Sequence, residues 1–120
     1  MPNKISFIIS TYDGLPLLKK NLPAVISEAR NGDEILITED AGPDLTVAYF
    51  RAKYNLELAA ETDQYRLWRK EKSPLSSEKK LTLTGIENKN KLRFGANNNQ
   101  AGALALHPLV FILNNDSDPQ

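Results

Sequence analysis

The sequence predicts an α/β fold, a mostly parallel sheet with helices flanking it, and three observations carry that expectation. Short, nearly continuous apolar runs recur at Lys4–Ser10 (KISFIIS), Glu34–Thr38 (EILIT) and Val110–Leu113 (VFIL), as in strands buried on both faces. Between them lie stretches whose apolar residues recur at helical spacing. The runs lead into polar clusters, Thr11-Tyr12-Asp13, Glu39-Asp40 and Asn114-Asn115-Asp116-Ser117-Asp118, and parallel strands bring their carboxyl ends to one edge, where such sheets bind ligands.

Each element follows in order. After the first strand, Leu15, Leu18, Leu22, Val25, Ile26 and Ala29 predict a helix from about Leu15 to Arg30, with Asp13 or Gly14 as cap and Pro16 in the first turn. Pro23 predicts a kink or a division of that helix. Asn31-Gly32-Asp33 stops it, and the strand EILIT completes a βαβ unit. From Leu45 to about Lys70 the spacing of Val47, Phe50, Tyr54, Leu58, Tyr65 and Trp68 predicts helix with a break near Asn55. Ser73–Ser77 reads as a polar loop, Leu81–Ile86 as a strand, Glu87–Arg93 as irregular, Ala101–Leu106 as helix-favouring and Val110–Leu113 as the fourth strand. Right-handed crossovers would join these strands into the sheet.

Composition sets the outer limits. At 120 residues the chain is one domain at most. With 41% hydrophobic and 25% charged residues it is ordinary for a globular protein, and no apolar run approaches the roughly 20 residues of a membrane span. The N-terminus lacks the basic start and apolar core of a signal peptide, so a cytoplasmic location is expected. The absence of cysteine excludes disulfides and Cys-based zinc sites. His107, the single histidine, stands beside Pro108 and reads as a loop residue. Between Arg66 and Arg93 nine basic residues face three acidic ones. Such a stretch can face a diphosphate, an anionic membrane surface or nucleic acid, or simply be a solvated helix face and loop. Peripheral membrane association therefore stays open, and no nucleic-acid partner is expected.

Acidic residues gathered at one sheet edge repel one another unless a cation or ligand compensates them. Oxygen donors without Cys or a second His suit Mg²⁺ or Mn²⁺, and Mg²⁺ usually arrives with a phosphate-bearing ligand. The alternative is that Asn, Asp and Ser merely end strands and shape turns.

Four segments resemble family-2 glycosyltransferases. FIISTYDGLPLLKKNLPAV is similar to that family's opening strand, P/S-T-Y/F-N turn and Leu-rich helix. ILITEDAGPD resembles its strand running into Asp-Asp-Gly-Ser, with Glu39 in place of the first Asp and Asp40 keeping the second. IENKNKLRFGANNNQAGALAL is similar to E-N-x-N-x-G-F-x-x-A-x-N-x-G, with Arg93 where glycine is common. LVFILNNDSDP resembles the rhamnosyltransferase-like variant of the DxD motif, with Asn114 in the first Asp position. The segments cover most of the chain in family order, around a longer than usual polar insert between about Asn55 and Lys80.

The resemblance implies a GT-A, Rossmann-like fold and transfer of a sugar from a UDP- or dTDP-linked donor. It implies that Thr11 and Tyr12, with Asp13 beside them, line the nucleotide pocket, and that Asp40, next to Glu39, accepts a hydrogen bond from the base imide. Asp116 would bind the cation bridging the phosphates, with Asp118 assisting; Asn114 and Asn115 would contact sugar hydroxyls and Arg93 a phosphate. The other readings are a packing aromatic for Tyr12, a helix cap for Asp40, a turn at Asp118-Pro119 and a solvated Arg93. The family's catalytic base and its acceptor site, for a saccharide or lipid-linked acceptor, lie downstream of the metal motif. The chain is accordingly expected to be the N-terminal donor-binding part, truncated after that motif, with an exposed sheet edge that the full fold would cover. Rival readings are a non-catalytic receiver-like module, an inactive truncated gene product that keeps the family's sequence without its activity, and a dinucleotide-binding oxidoreductase, although Ser10-Thr11-Tyr12-Asp13-Gly14 is poor in glycine for the last.

Overall fold

A computed structural model of the chain describes residues 4–12, 15–39, 46–74, 80–89 and 100–116, with only the backbone at 11, 12, 15–17, 21, 72–74 and 114–116. β1 (Ile5–Tyr12), α1 (Leu15–Glu28), β2 (Glu34–Glu39), α2 (Thr46–Tyr54), β3 (Glu57–Glu61), β4 (Tyr65–Pro74), β5 (Lys80–Asn88) and β6 (Leu109–Asp116) follow one another, and residues 100–104 are helical. The strands form one six-stranded sheet in the order β3-β4-β5-β2-β1-β6. β5, β2, β1 and β6 run parallel, while β3 and β4 add an antiparallel hairpin outside β5. The fold class is therefore α/β with a mixed, mostly parallel sheet.

The order of the parallel strands explains where the helices lie. From β1 to β2 and on to β5 the chain moves one way across the sheet, so right-handed crossovers put both helices on the same face. Leu18 and Leu22 of α1 and Val47 and Phe50 of α2 indeed share one buried cluster with Ile9, Ile35, Ile37 and Leu83. From β5 the chain returns past β1 to β6, and the rule then requires the opposite face. There Ala101 packs with Ile8, Leu36, Leu67 and Ile86.

Local chemistry sets the element ends. Asn55, at φ 61°, closes α2 in the left-handed region, and the Leu56 N–H reaches the Arg51 carbonyl at 3.0 Å, a Schellman closure. After α1, Gly32 turns at φ 92° and both Asp33 carboxylate oxygens are engaged, by the Ile5 N–H at 2.9 Å and the Arg30 N–H at 2.8 Å. One residue thus ends the helix and aligns β1 with β2.

The structure corrects several expectations. The helical stretch expected to reach Lys70 ends at Tyr54, and 57–74 is the β3–β4 hairpin. Its turn is held by Thr62, whose hydroxyl oxygen accepts from the N–H groups of Gln64 and Tyr65 at 3.1 and 3.2 Å. Leu58 pairs opposite Trp68, and Trp68 opposite Gly85, so cross-strand pairing overrides the helix propensity of Glu, Leu, Ala and Lys. Among the described residues the four expected strands are present and the hairpin adds two more. Pro23 does not divide α1, which runs unbroken from Leu15 to Glu28. It lies on the exposed side, as does Lys19 one turn back, whose carbonyl water can satisfy. β5 continues through Glu87 to Asn88, where an irregular segment was expected. Among the described residues no helix is long and apolar enough to cross a membrane.

Gly85 is required by close approach. A Cβ there would come within 2.8 Å of the Val47 side chain, a stiff β-branched group. Gly85→Ala is expected to cost about 1–3 kcal/mol through overpacking, read from thermal or urea unfolding. Val47→Ala in the same chain should return part of that loss.

Candidate functional site

Parallel pairing brings the strand ends into register along one edge. Glu39 ends β2 opposite Thr11 of β1, Thr11 lies opposite Asn115 of β6, and Tyr12 opposite Asp116. Glu39 also faces Glu87 on its other side. A row Glu87, Glu39, Thr11, Asn115 thus crosses four strands, spaced at about 4.8 Å per strand. The polar clusters at residues 11–12, 39 and 114–116 do meet. Asp13, Asp40, Arg93 and Asp118 lie outside the described residues.

The strand order reverses between β1 and β6. Counted along the chain, the parallel strands stand third, second, first, fourth, and the gap between first and fourth is the topological switch point, where the carboxyl ends diverge into a crevice. Thr11, Tyr12, Asn115 and Asp116 belong to the two strands that flank it.

Two carboxylates of the row are engaged by the fold itself. Glu39 accepts the Val47 N–H at 2.9 Å, so a side chain from the end of β2 caps the first turn of α2, where negative charge also meets the positive end of the helix dipole. Glu87 accepts the Trp68 indole N–H at 2.7 Å, and the Arg51 guanidinium stacks over that indole at 4.2 Å from its centroid. Sequence reasoning missed Glu87 and its Trp68–Arg51 support because β5 was ended at Ile86. The signal was present, since Glu87 follows its apolar strand much as Glu39 follows EILIT. Among the described residues no three His, Cys, Asp or Glu side chains gather around a common point that could hold a metal.

A second charged cluster occupies the opposite, amino-terminal edge. Glu34 is fully buried. One of its oxygens accepts from the Ser6 hydroxyl at 2.7 Å and the Leu106 N–H at 2.8 Å; the other accepts from the Thr84 hydroxyl and from Arg69 Nη2 at 3.3 Å. Arg69 also donates to the Thr84 hydroxyl oxygen and the Leu104 carbonyl. Every donor comes from the chain, so this carboxylate ties β1, β4, β5 and residues 104–106 together and has no role for a ligand. His107 belongs to the same latch: its N–H donates to the Ser6 hydroxyl oxygen, and its Nε2 lies 2.8 Å from the Gly32 carbonyl. It is a structural residue before β6, in line with its sequence reading.

The basic stretch is partly neutralised within the chain. Glu61 pairs with both Arg66 at 3.0 Å and Lys89 at 2.9 Å, and hydrogen bonds from Lys89 and then Arg66 hold its carboxyl below the usual range. Arg69 is committed to Glu34.

No family model, no curated protein and no solved structure matches the chain.

Proposed function

We propose that this chain is the donor-binding part of a GT-A glycosyltransferase of the family-2 type, binding a UDP- or dTDP-linked sugar with Mg²⁺ or Mn²⁺ in the cytoplasm. The observation that carries this reading is the reversal of strand order between β1 and β6, with Tyr12 set against Asp116 and Thr11 against Asn115 at their carboxyl ends. Open α/β sheets bind their ligands in that crevice. The order also favours this reading over a receiver-like module, since flavodoxin-like sheets carry their third parallel strand on the far side of the first. Here the third, β5, lies beyond β2.

The donor set fits the ion. Oxygen ligands, without cysteine and with one histidine already turned toward Gly32, suit a hard divalent cation. When bound, the cation neutralises charge building up on the departing diphosphate. Asp116 would hold it, with Asp118 assisting; Thr11 and Tyr12 would lie along the nucleoside, and Asp40 would accept from the base imide. Asn114 and Asn115 would meet sugar hydroxyls, and Arg93 a phosphate. Transfer needs a carboxylate base for the acceptor hydroxyl. The residues assigned here serve the donor, and that base is not among them.

Calorimetric titration of UDP and dTDP, with and without Mn²⁺, tests the reading. Binding is expected to require Mn²⁺ and to vanish in Asp116→Ala. A chain that circular dichroism shows to be folded, yet which binds neither nucleotide, refutes it.

A further inference from the structure

We infer that the chain carries a second small-molecule site at the amino-terminal edge of the sheet, a pocket that takes the phosphate monoester of a sugar through Lys4, Lys80, Thr82 and Glu71. The inference is independent of the donor-binding reading, which concerns the opposite edge.

The residues that lead into β1, β2, β5 and β6 converge at this edge. Between them lies a pocket of about 410 Å³, lined by Lys4, Gly32, Glu71, Lys80, Thr82 and His107. That is the size of a small-molecule pocket, about 300–1,000 Å³, rather than of a lone ion.

The backbone fixes the basic groups around it. The Lys80 N–H donates to Asn31 Oδ1 at 2.9 Å, and the Lys80 carbonyl accepts the Gly32 N–H at 2.8 Å, which pins the start of β5 to the turn between α1 and β2. Lys4 lies across the same turn, since a Cβ at residue 32 would meet its Cε at 2.8 Å and its Nζ at 3.1 Å. Gly32 therefore serves both the positive φ and the path of the lysine. His107 completes the wall, its Nε2 held on the Gly32 carbonyl at 2.8 Å.

Two ammonium groups thus border one pocket, and among the described residues neither is in an ion pair. The neighbouring carboxylates are committed elsewhere, Asp33 to the N–H groups of Ile5 and Arg30 and Glu34 to Arg69. An anion relieves the repulsion between such charges, and a phosphate has oxygens enough to accept from both lysines. Thr82 is 7% exposed, gives its N–H to the Asp33 carbonyl at 3.0 Å, and makes no side-chain hydrogen bond among the described residues. Its hydroxyl is a further donor for the same phosphate. Glu71 selects among anions. A bare phosphate gains nothing from a carboxylate on the wall, whereas the hydroxyls of a sugar donate to it. Phosphate and hydroxyls in one molecule satisfy both ends of the pocket.

Calorimetric titration of glucose 6-phosphate, inorganic phosphate and glucose into the intact chain in EDTA tests the site, because chelation removes any cation from the carboxyl edge. Glucose 6-phosphate is expected to bind more tightly than inorganic phosphate, and glucose not to bind. Lys4→Gln and Lys80→Gln should each weaken glucose 6-phosphate about tenfold or more, the loss of one charge-assisted hydrogen bond. Glu71→Ala should narrow the gap between glucose 6-phosphate and inorganic phosphate, and Asp116→Ala should change nothing. All three pocket side chains substituted are exposed, and circular dichroism checks the fold. Should a variant fail to fold, the amide resonances of Gly32 and Thr82 in the unsubstituted chain decide, since glucose 6-phosphate should shift both. No binding by the folded chain, binding that both lysine variants retain, equal binding of glucose, a gap that Glu71→Ala leaves unchanged, or shifts confined to the carboxyl edge overturns the proposal.

Discussion

Arg69→Met is expected to lower the unfolding free energy by about 3–5 kcal/mol, because it leaves a buried carboxylate without its counter-charge. Glu34 is fully enclosed, while the Arg69 side chain keeps 21% exposure. Water can therefore reach the guanidinium in the native protein and follow it inward once the side chain is truncated, which favours the lower end of that range. Ser6, Thr84 and the Leu106 N–H still donate to the carboxylate in the variant, but neutral donors do not replace the charge. Glu34→Gln cannot rescue the pair. With its oxygen toward Ser6 and Leu106, the amide nitrogen would point at Arg69, donor against donor. Replacing both partners, as Glu34→Leu with Arg69→Met, should cost less than the sum of the single changes. Urea unfolding of the four proteins measures this. A cost below about 1 kcal/mol for Arg69→Met would mean the pair behaves as a surface salt bridge, and that hydroxyls and backbone alone hold β4 to β2.

The parallel core was legible because its strands obey a local rule. Ile8, Ile9, Ile35, Leu36 and Ile37 are buried on both faces, and enclosure on both faces produces the continuous apolar runs at 4–10 and 34–38. The polar clusters were legible for the same reason, since each marks where a strand leaves the core. The hairpin was not. In ELAAETDQYRLWRK the strand alternation of Tyr65 and Leu67 against Trp68 is diluted by helix-forming residues, and Leu58, Tyr65 and Trp68 happen to fall at helical spacing. What makes this stretch a strand is pairing with β5, a partner some twenty residues further on, which no local window contains. Asn55 was the one local hint, and the break expected there is the end of α2. The support for the edge carboxylates was likewise hidden. Nothing in the spacing of Glu39 and Val47, or of Trp68 and Glu87, announces a hydrogen bond made by the sheet's register.

Phe50→Ala should produce a loss of similar size, about 3–5 kcal/mol, by a different route. Phe50 is fully buried, with the Tyr54 ring against it edge-on at 5.3 Å, and its removal leaves a cavity between α2 and the sheet. α2 has only nine residues, fewer than the roughly 12–15 at which an isolated helix becomes even marginally stable. It persists because Val47 and Phe50 anchor it and because Glu39 and Asn55 close its ends. Losing the larger anchor should therefore loosen the whole element. In hydrogen exchange the amides of α2 should lose more protection than those of β1 or β2, whose ladders do not depend on it. The effect should also reach the carboxyl edge, because the Val47 N–H that holds Glu39 moves with the helix. Uniform loss of protection across the sheet would instead mean that α2 and the core unfold as one unit, with the position of Glu39 set by β2 alone.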